Sequence, residues 1–280
     1  MEFVSEFATR LPVTIMANYL GVSDDKKDEL AGYARQFIFE FSNDPEVSDR
    51  AVTALRGYFT QHIDNFLREA IPGRLLSRLA AGYRDGILDK EELIEMCVFL
   101  FAAGTETSGS LLGSGLLTLL QHPESLEAVR NNAELMPNAI EEMLRYETPV
   151  PMTTMRVTPE AIEIDGLVIP EGQPIIGILA AANRDSEKFP NPGCFDIYRN
   201  TTGHFSFGGG IHYCIGASLA RLEARVTFTT LLEQFPTLQL DKGNAFSKLA
   251  RKLSGSSGGS TWHWRERVPT RGLEYLRLKW

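Results

Sequence analysis

The residue that most invites a chemical reading is Cys214, in the stretch "HFSFGGGIHYCIGASLARLEARV" that runs from position 204 to 226. It follows a triple glycine and precedes a run that forms a helix. A cysteine at a helix N-terminus sits beside unpaired backbone N–H groups and the positive end of the helix dipole, and both favour thiolate over thiol. Gly208, Gly209 and Gly210 carry no Cβ, so the preceding backbone can turn tightly and come close to a flat surface. Phe205 and Phe207 add an apolar wall that keeps water off a sulfur. Such a site suits a nucleophile or an axial metal ligand. A nucleophile needs a base in reach, and His212, two residues away on an extended segment, would point away from the sulfur. A small buried cysteine at a helix start is the bland alternative.

The elements that must position this loop are mostly helices. "LDKEELIEMCVFLFAAGTETSGSLLGSGLLTLLQHPE" has Asp89 as a cap and Pro123 as a stop. Between them the spacing predicts a helix of about 30 residues, against a usual mean near 12. It is apolar on nearly every face, which places it in the interior, and its central polar, glycine-containing turn is where it would bulge. Upstream, "EFVSEFATRLPVTIMANYLGV" reads as a helix that stops near Gly21, with Ser23 capping the next. Residues 28 to 41 and 47 to 70 read as two amphipathic helices whose aromatics pack a core. "PNAIEEMLRYETPVP" is a helix ended by Pro149 and Pro151. "AIEIDGLVIPEGQPIIGIL" carries a hairpin pattern split by "DG" and "EG". Residues 183 to 213 are loop-rich. The last helix, beginning at or just after Cys214, has a predicted apolar stripe of Ile215, Leu219, Leu222 and Val226, with Arg221, Glu223 and Arg225 off that face. "SGSSGGS" at 254–260 reads as a flexible linker, and the tail mixes turn and strand signals.

Composition narrows the classes. The 280 residues fit one large domain, 1–280. A formal net charge of -8, with no basic face, argues against a nucleic-acid partner. Cys97, Cys194 and Cys214 form no C-x-x-C pair, so neither a disulfide framework nor a cysteine-built zinc site is expected, and a reducing cytoplasm is the default. "MEFVSEFATR" lacks the pattern of a signal peptide. The most apolar stretch, Leu93 to Leu120, has Glu106 at its centre and predicts no membrane span.

"FSFGGGIHYCIGASLARLEARV" resembles the haem-binding loop of cytochrome P450 monooxygenases, F-x-x-G-x-x-x-C-x-G, through Phe207, Gly210, Cys214 and Gly216. "AAGTETS" resembles the oxygen-activating turn of the family's long central helix, and "EEMLR" its Glu-x-x-Arg pair, Glu142 and Arg145. The resemblance covers nearly all of the chain, more loosely around 240 to 262. It implies a mainly α fold with small β regions, P450-like and N-terminally truncated, since the chain starts at a segment well inside family members. An exposed apolar patch, lower stability and a second chain covering that patch are the expected consequences.

The same resemblance makes Cys214 the axial thiolate of haem b, where a thiolate donates electron density to iron. It sets Phe207, Gly208, Gly210, Gly216 and Ala103 around the cofactor and Arg156 and His212 at its propionates. Glu106 and Thr107 fall where the family delivers protons, a carboxylate as relay and a hydroxyl as donor; a threonine bonded back to its own helix carbonyls is the alternative for Thr107. Gly104 would open a groove for oxygen. Ala102, Ala103 and Met152 become candidates for substrate contact. Glu142 and Arg145, three apart on one helix face, become a buried structural pair. Its usual third member is an arginine whose position Cys194 holds here, with Arg199 or His204 as substitutes. The implied function is a haem-thiolate monooxygenase that inserts one oxygen atom from O2 into a small apolar substrate. Without a flavin or nicotinamide fingerprint, electrons come from a ferredoxin-type donor with a separate reductase. The competing readings are a truncated, inactive relative acting as a haem-binding or scaffold protein, and a cysteine hydrolase using Cys214 and His212. The hydrolase lacks a third residue to orient the histidine.

Overall fold

A computed structural model describes residues 1–41, 43–69, 75–242, 260–266 and 269–280. The chain opens with a π-helical turn, Val4–Ala8, that runs into α1 (Arg10–Leu20), closed by Gly21 in the left-handed region. Then follow α2 (Lys27–Glu40), α3 (Pro45–Glu69), α4 (Leu75–Arg84) and α5 (Lys90–Gln121). Past α5 come α6 (Pro123–Asn131), a 3-10 turn at Ala133–Leu135 and α7 (Met136–Tyr146). Ser23 does not cap α2. Its carbonyl, not its hydroxyl, accepts the amides of Lys26 and Lys27, and the helix begins only at Lys27, after a turn through residues 24 to 26.

Among the described residues the β content is four two-stranded antiparallel pieces. β1 (Arg156–Val157) pairs with β4 (Pro174–Ile175), and β2 (Ile162–Ile164) with β3 (Leu167–Ile169). The β2–β3 hairpin turns on Asp165 and Gly166, both at positive φ (50° and 79°), as a two-residue hairpin loop requires. A short helix, α8 (Leu179–Ala182), leads into the long loop region, which ends in the 3-10 turn Gly210–His212 and then α9 (Ala217–Gln234). Finally β5 (Gln239–Leu240) pairs with β8 (Leu278–Lys279), and β6 (Trp262–Trp264) with β7 (Leu273–Leu276). The "SGSSGGS" segment lies outside the described residues except for Ser260.

α5 is the axis. Its N-terminus carries a full capping box: the Asp89 side chain accepts from the Glu92 amide at 2.8 Å, and the Glu92 carboxylate accepts from the Asp89 amide at 2.8 Å. This satisfies two of the amides a helix start leaves open. At 32 residues it is about 48 Å long, and α1, α2, α3, α7 and α9 all pack on it. One core cluster, with Leu55, Phe59, Phe101 and Cys97, fills the space between its first half and α1–α3. The other, with Leu112, Leu116, Met143, Ala224 and Phe228, fills the space between its second half and α7 and α9.

The central polar turn does not bulge, because the helix is continuous from Lys90 to Gln121. Its small residues serve close packing instead. A Cβ on Gly104 would lie 2.7 Å from Met16 Sδ, and one on Gly109 would lie 3.1 Å from the Ala8 carbonyl oxygen. Gly104 therefore admits α1, rather than opening a groove.

The face of α9 that packs inward is also not the predicted one. Ala217, Glu223, Ala224, Thr227, Phe228 and Leu232 are buried, while Ile215, Leu222 and Val226 are exposed. Only Leu219 of the predicted stripe packs against a core cluster. Burial is decided by where α5 and α7 lie, and they lie against the alanine, threonine and phenylalanine side of the helix. Phe99, Phe41 and Ile211 are exposed as well.

Candidate active site

The Cys214 loop is built from backbone turns. Gly208 and Gly210 sit at φ 68° and 62°, a conformation that a residue with a Cβ adopts at a cost. The Cys214 amide donates to the Phe207 carbonyl at 2.9 Å, which ties the two ends of the glycine stretch together. Gly216 caps α9 without a side-chain bond, so the first amides of the helix open onto the residues just after Cys214. The thiol itself is exposed. Ile211 and Ile215, at 98% and 82% exposure, flank it as uncovered apolar walls.

Behind Phe207 stands a rigid clamp. Arg221 of α9 lies over the Phe207 ring at 4.4 Å and donates to Glu141 at 2.6 and 2.8 Å and to the Tyr213 hydroxyl at 3.2 Å. His204 meets the same carboxylate at 2.9 Å. Burial opposes the charge on Glu141, but the hydrogen bonds from Arg221 and His204 outweigh it and hold the carboxyl down at about 2. A charged network thus braces the cysteine loop from α7 and α9.

One stripe of α5 is left uncovered on an otherwise buried helix. Met96, Phe99, Leu100, Ala103, Gly104 and Thr107 are half-buried or exposed, whereas Phe101, Ala102, Thr105, Glu106 and Ser108 are buried. That stripe places Ala103 and Thr107, one turn apart, on a common face. The Thr107 hydroxyl donates to the Ala103 carbonyl at 2.7 Å, so the back-bonded arrangement is the one found. Glu106 points elsewhere. It is buried and ion-paired with Arg265 at 2.9 Å, and Arg265 also donates to the Leu273 carbonyl. Ala102, a candidate for substrate contact, is 1% exposed within the core formed with α1–α3, so in this structure it faces away from any substrate. Met152, Arg156 and His212 are exposed.

The Glu142–Arg145 pair is fully buried and doubly bonded, at 2.7 and 2.8 Å. Arg145 reaches onward to the carbonyls of Asn183, Pro192 and Cys194. Where the sequence offered Arg199 or His204 as the third member, Arg199 takes the place: its Nε lies 3.3 Å from Glu142, and its other nitrogens bind carbonyls at 190, 191 and 194. His204 serves Glu141 instead. An open cavity of about 600 Å³ beside this network is lined by Lys188, Asn191, Cys194 and Arg199 among others, with no residue of the Cys214 loop.

Two features were missed by sequence reasoning. Arg265 is 159 positions from Glu106, and no local signal links them. Glu223 was placed off the apolar face of the last helix, yet it is 5% exposed.

The donor chemistry fits a haem. An exposed thiol stands at a glycine loop that lets backbone approach a flat group, flanked by uncovered isoleucines. A half-open stripe from Met96 to Thr107, narrow at Ala103, runs along α5, and Arg156 and His212 hold no ion pair among the described residues. No cluster of three or more His, Cys, Asp or Glu side chains suited to a metal occurs among the described residues; the ligand on offer is the single Cys214 sulfur. No helix among the described residues is long and apolar enough to cross a membrane.

Comparison with known proteins agrees with this geometry. A family model described as Cytochrome P450 matches residues 46–254. The chain is 40% identical over its whole length to cytochrome P450 107B1 of Saccharopolyspora erythraea, and 37% identical to the P450 monooxygenase PikC of Streptomyces venezuelae. It spans 65% and 63% of the length of those two relatives. Among solved structures, P450BioI in complex with an acyl-chain-ligated acyl carrier protein superposes with a TM-score of 0.86 at 35% identity. There the whole of this chain and 68% of that one are covered. The thioether synthase candidate SgvP superposes at 0.88 with 28% identity, covering 100% and 68%. The mainly helical fold, the glycine-cysteine loop and these likenesses coincide: the chain belongs to the cytochrome P450 family.

Proposed function

We propose that this chain carries the thiolate side of a haem-dependent monooxygenase, with Cys214 as the axial ligand. The observation that carries the reading is the exposed Cys214 thiol, on a loop closed by the Cys214 amide donating to the Phe207 carbonyl at 2.9 Å and walled by uncovered Ile211 and Ile215. Haem, when bound, supplies oxygen reduction and oxygen-atom transfer, and a thiolate ligand enriches the iron with electron density.

The chain's own residues do the rest. Phe207, Gly208, Gly210 and Gly216 shape the cradle, and the Arg221–Glu141 clamp keeps it from closing on itself. Arg156 and His212 hold the propionates by charge and hydrogen bonding. Ala103 leaves room on α5, and Thr107 offers a hydroxyl at that surface. Glu106 handles protons once Arg265 releases it. Met152 and the α5 stripe from Phe99 to Ala103 are apolar, which suits a small apolar substrate. The P450 relatives include a hydroxylase of 6-deoxyerythronolide B and a biotin-biosynthesis P450. A ferredoxin-type donor served by a separate reductase supplies the electrons, and the site of action is the cytoplasm.

The test is the absorption spectrum of the purified chain after haem addition, reduction and CO. The expected result is the red-shifted Soret band of a thiolate-ligated haem, lost in Cys214→Ala. A band that survives the substitution, or fails to form with haem present, overturns the reading. The second reading, a haem-binding or scaffold relative without turnover, draws on the Glu106–Arg265 pair, which ties up the expected proton carrier. It requires the Soret band without product formation.

A further inference from the structure

The cysteine loop has a second attachment, made by the side chain of Asn183. This residue closes α8 and is fully buried. A backbone amide can only donate, and the Phe205 amide donates to Asn183 Oδ1 at 2.6 Å. That contact holds the side-chain amide in one orientation, and both Nδ2 hydrogens are then used. One goes to Thr148 Oγ1 at 2.8 Å and the other to Ser206 Oγ at 2.9 Å. The two hydroxyls donate onward into α7, Thr148 to the Arg145 carbonyl at 3.2 Å and Ser206 to the Leu144 carbonyl at 2.7 Å. Thr148 and Ser206 are buried as well.

This circuit joins two parts of the molecule. On one side lies the Glu142–Arg145 fork, because Arg145 also donates to the Asn183 backbone carbonyl at 2.9 Å. On the other lies the entry to the glycine loop. The Asn183 side chain holds residues 205 and 206, and the Phe207 carbonyl that follows accepts the Cys214 amide at 2.9 Å. A path of hydrogen bonds and a few peptide units thus runs from the buried ion pair to the backbone of the cysteine. A buried network in which every member is paired has one favoured geometry, since a displacement leaves some polar group unmatched away from water. The Arg221 clamp grips the same loop through the Phe207 ring and the Tyr213 hydroxyl. A change at Asn183 therefore loosens the loop without detaching it.

We infer that Asn183 is a positioning residue for Cys214: its side-chain amide transmits the fixed geometry of the Glu142–Arg145 pair to the segment that enters the glycine loop, so the sulfur is set in place by the chain itself. Asn183 touches no reacting atom and acts through Phe205 and Ser206. The task needs one acceptor and two donors in a single plane, which an asparagine supplies. Aspartate has the same shape but, when ionised, only accepts. Thr148 and Ser206 would have to turn their hydroxyl hydrogens toward it and abandon the Arg145 and Leu144 carbonyls. The inference deepens the monooxygenase reading and rests on it for the purpose of the sulfur, whereas the preset loop is a property of the chain without haem.

The experiment is amide hydrogen exchange on the purified haem-free chain, followed by the reduced CO spectrum after haem addition. The proteins are wild type, Asn183→Asp, Ser206→Ala and a core control, Leu55→Ala, which lies in the cluster between α5 and α1–α3. The amides to follow are those of Gly208 and Cys214, both hydrogen-bonded within the loop. Relative to the amides of α5, they should exchange about tenfold faster in Asn183→Asp, the effect of one buried hydrogen bond lost. Leu55→Ala should speed exchange in α5 without singling out the loop. In the spectrum, Asn183→Asp should move a large share of the Soret band from the red-shifted thiolate position to the ordinary one. Ser206→Ala should move a smaller share, and Leu55→Ala none. If Asn183→Asp does not fold, Ser206→Ala decides alone in both measurements. Loop amides that exchange in step with α5 in the loop variants overturn the inference. So does a thiolate band undiminished by Asn183→Asp. Absence of the red-shifted band in wild type would instead strike the monooxygenase reading, and the exchange comparison would still decide whether Asn183 presets the loop.

Discussion

Replacing Glu223 with glutamine should make the protein more stable, and only on the alkaline side. The wild-type carboxyl has a folded-state pKa of about 7 against an ordinary value of 4.5. A raised acid binds its proton more tightly folded than unfolded, so its contribution is fully present below the unfolded value and is lost as pH rises through the folded one. The window is therefore from 4.5 to about 7. A difference of about 2.5 units at 1.36 kcal/mol each gives about 3 kcal/mol. Because the side chain is 5% exposed, solvent screening takes little of this. Glutamine fills the same volume and stays neutral, so it removes the slope while keeping the packing. Urea denaturation of both proteins at several values between about pH 5 and 8 is the assay. Near the acid end the two midpoints should nearly coincide. At the alkaline end Glu223→Gln should be ahead by about 3 kcal/mol with the same dependence on urea concentration. Parallel curves, or a variant that is weaker throughout, would refute the reasoning, since either means that Glu223 is ionised and satisfied at neutral pH.

Glu141 predicts the opposite limb. Its folded value of about 2 lies below 4.5, so its stabilisation is present above 4.5 and lost as pH falls toward about 2; since it is only partly buried, Glu141→Gln should flatten about 1–2 kcal/mol of acid sensitivity in the same titration. In the other buried network, Arg145→Ala leaves Glu142 without its fork and should cost about 3–5 kcal/mol by chemical denaturation. Arg199→Ala, removing a 3.3 Å contact while the fork stays intact, should cost about 1 kcal/mol; equal losses would mean that the two arginines hold Glu142 equally.

What the sequence made legible was the local grammar. Asp89 as a cap and Pro123 at the far end delimit α5 closely, because caps and breakers act through their own backbone neighbours. The "DG" pair set the β2–β3 turn for the same reason, and the spacing from Phe207 to Gly216 marked the cysteine loop. What stayed hidden depends on partners far along the chain. A period-3.6 pattern shows that α9 has an apolar stripe, but Ile215, Leu222 and Val226 offered a stronger one than Ala217, Ala224 and Phe228, and only the positions of α5 and α7 decide between them. Arg199 and His204 were both in range of the α7 acids, and their assignment to Glu142 and Glu141 needed the path of the loop between. The misplacements share a cause. Charge argues for the surface, yet Glu223 is buried and the Arg265 side chain opposite Glu106 is only 9% exposed. That rule holds because burying a charge is costly, so each exception requires a partner or a proton to offset the cost. Arg265 has its partner in Glu106. Glu223 has no ion-pair partner among the described residues, which leaves the proton, and burial holds its carboxyl up at about 7. The charged residues that sequence rules misplace are thus the ones to titrate first.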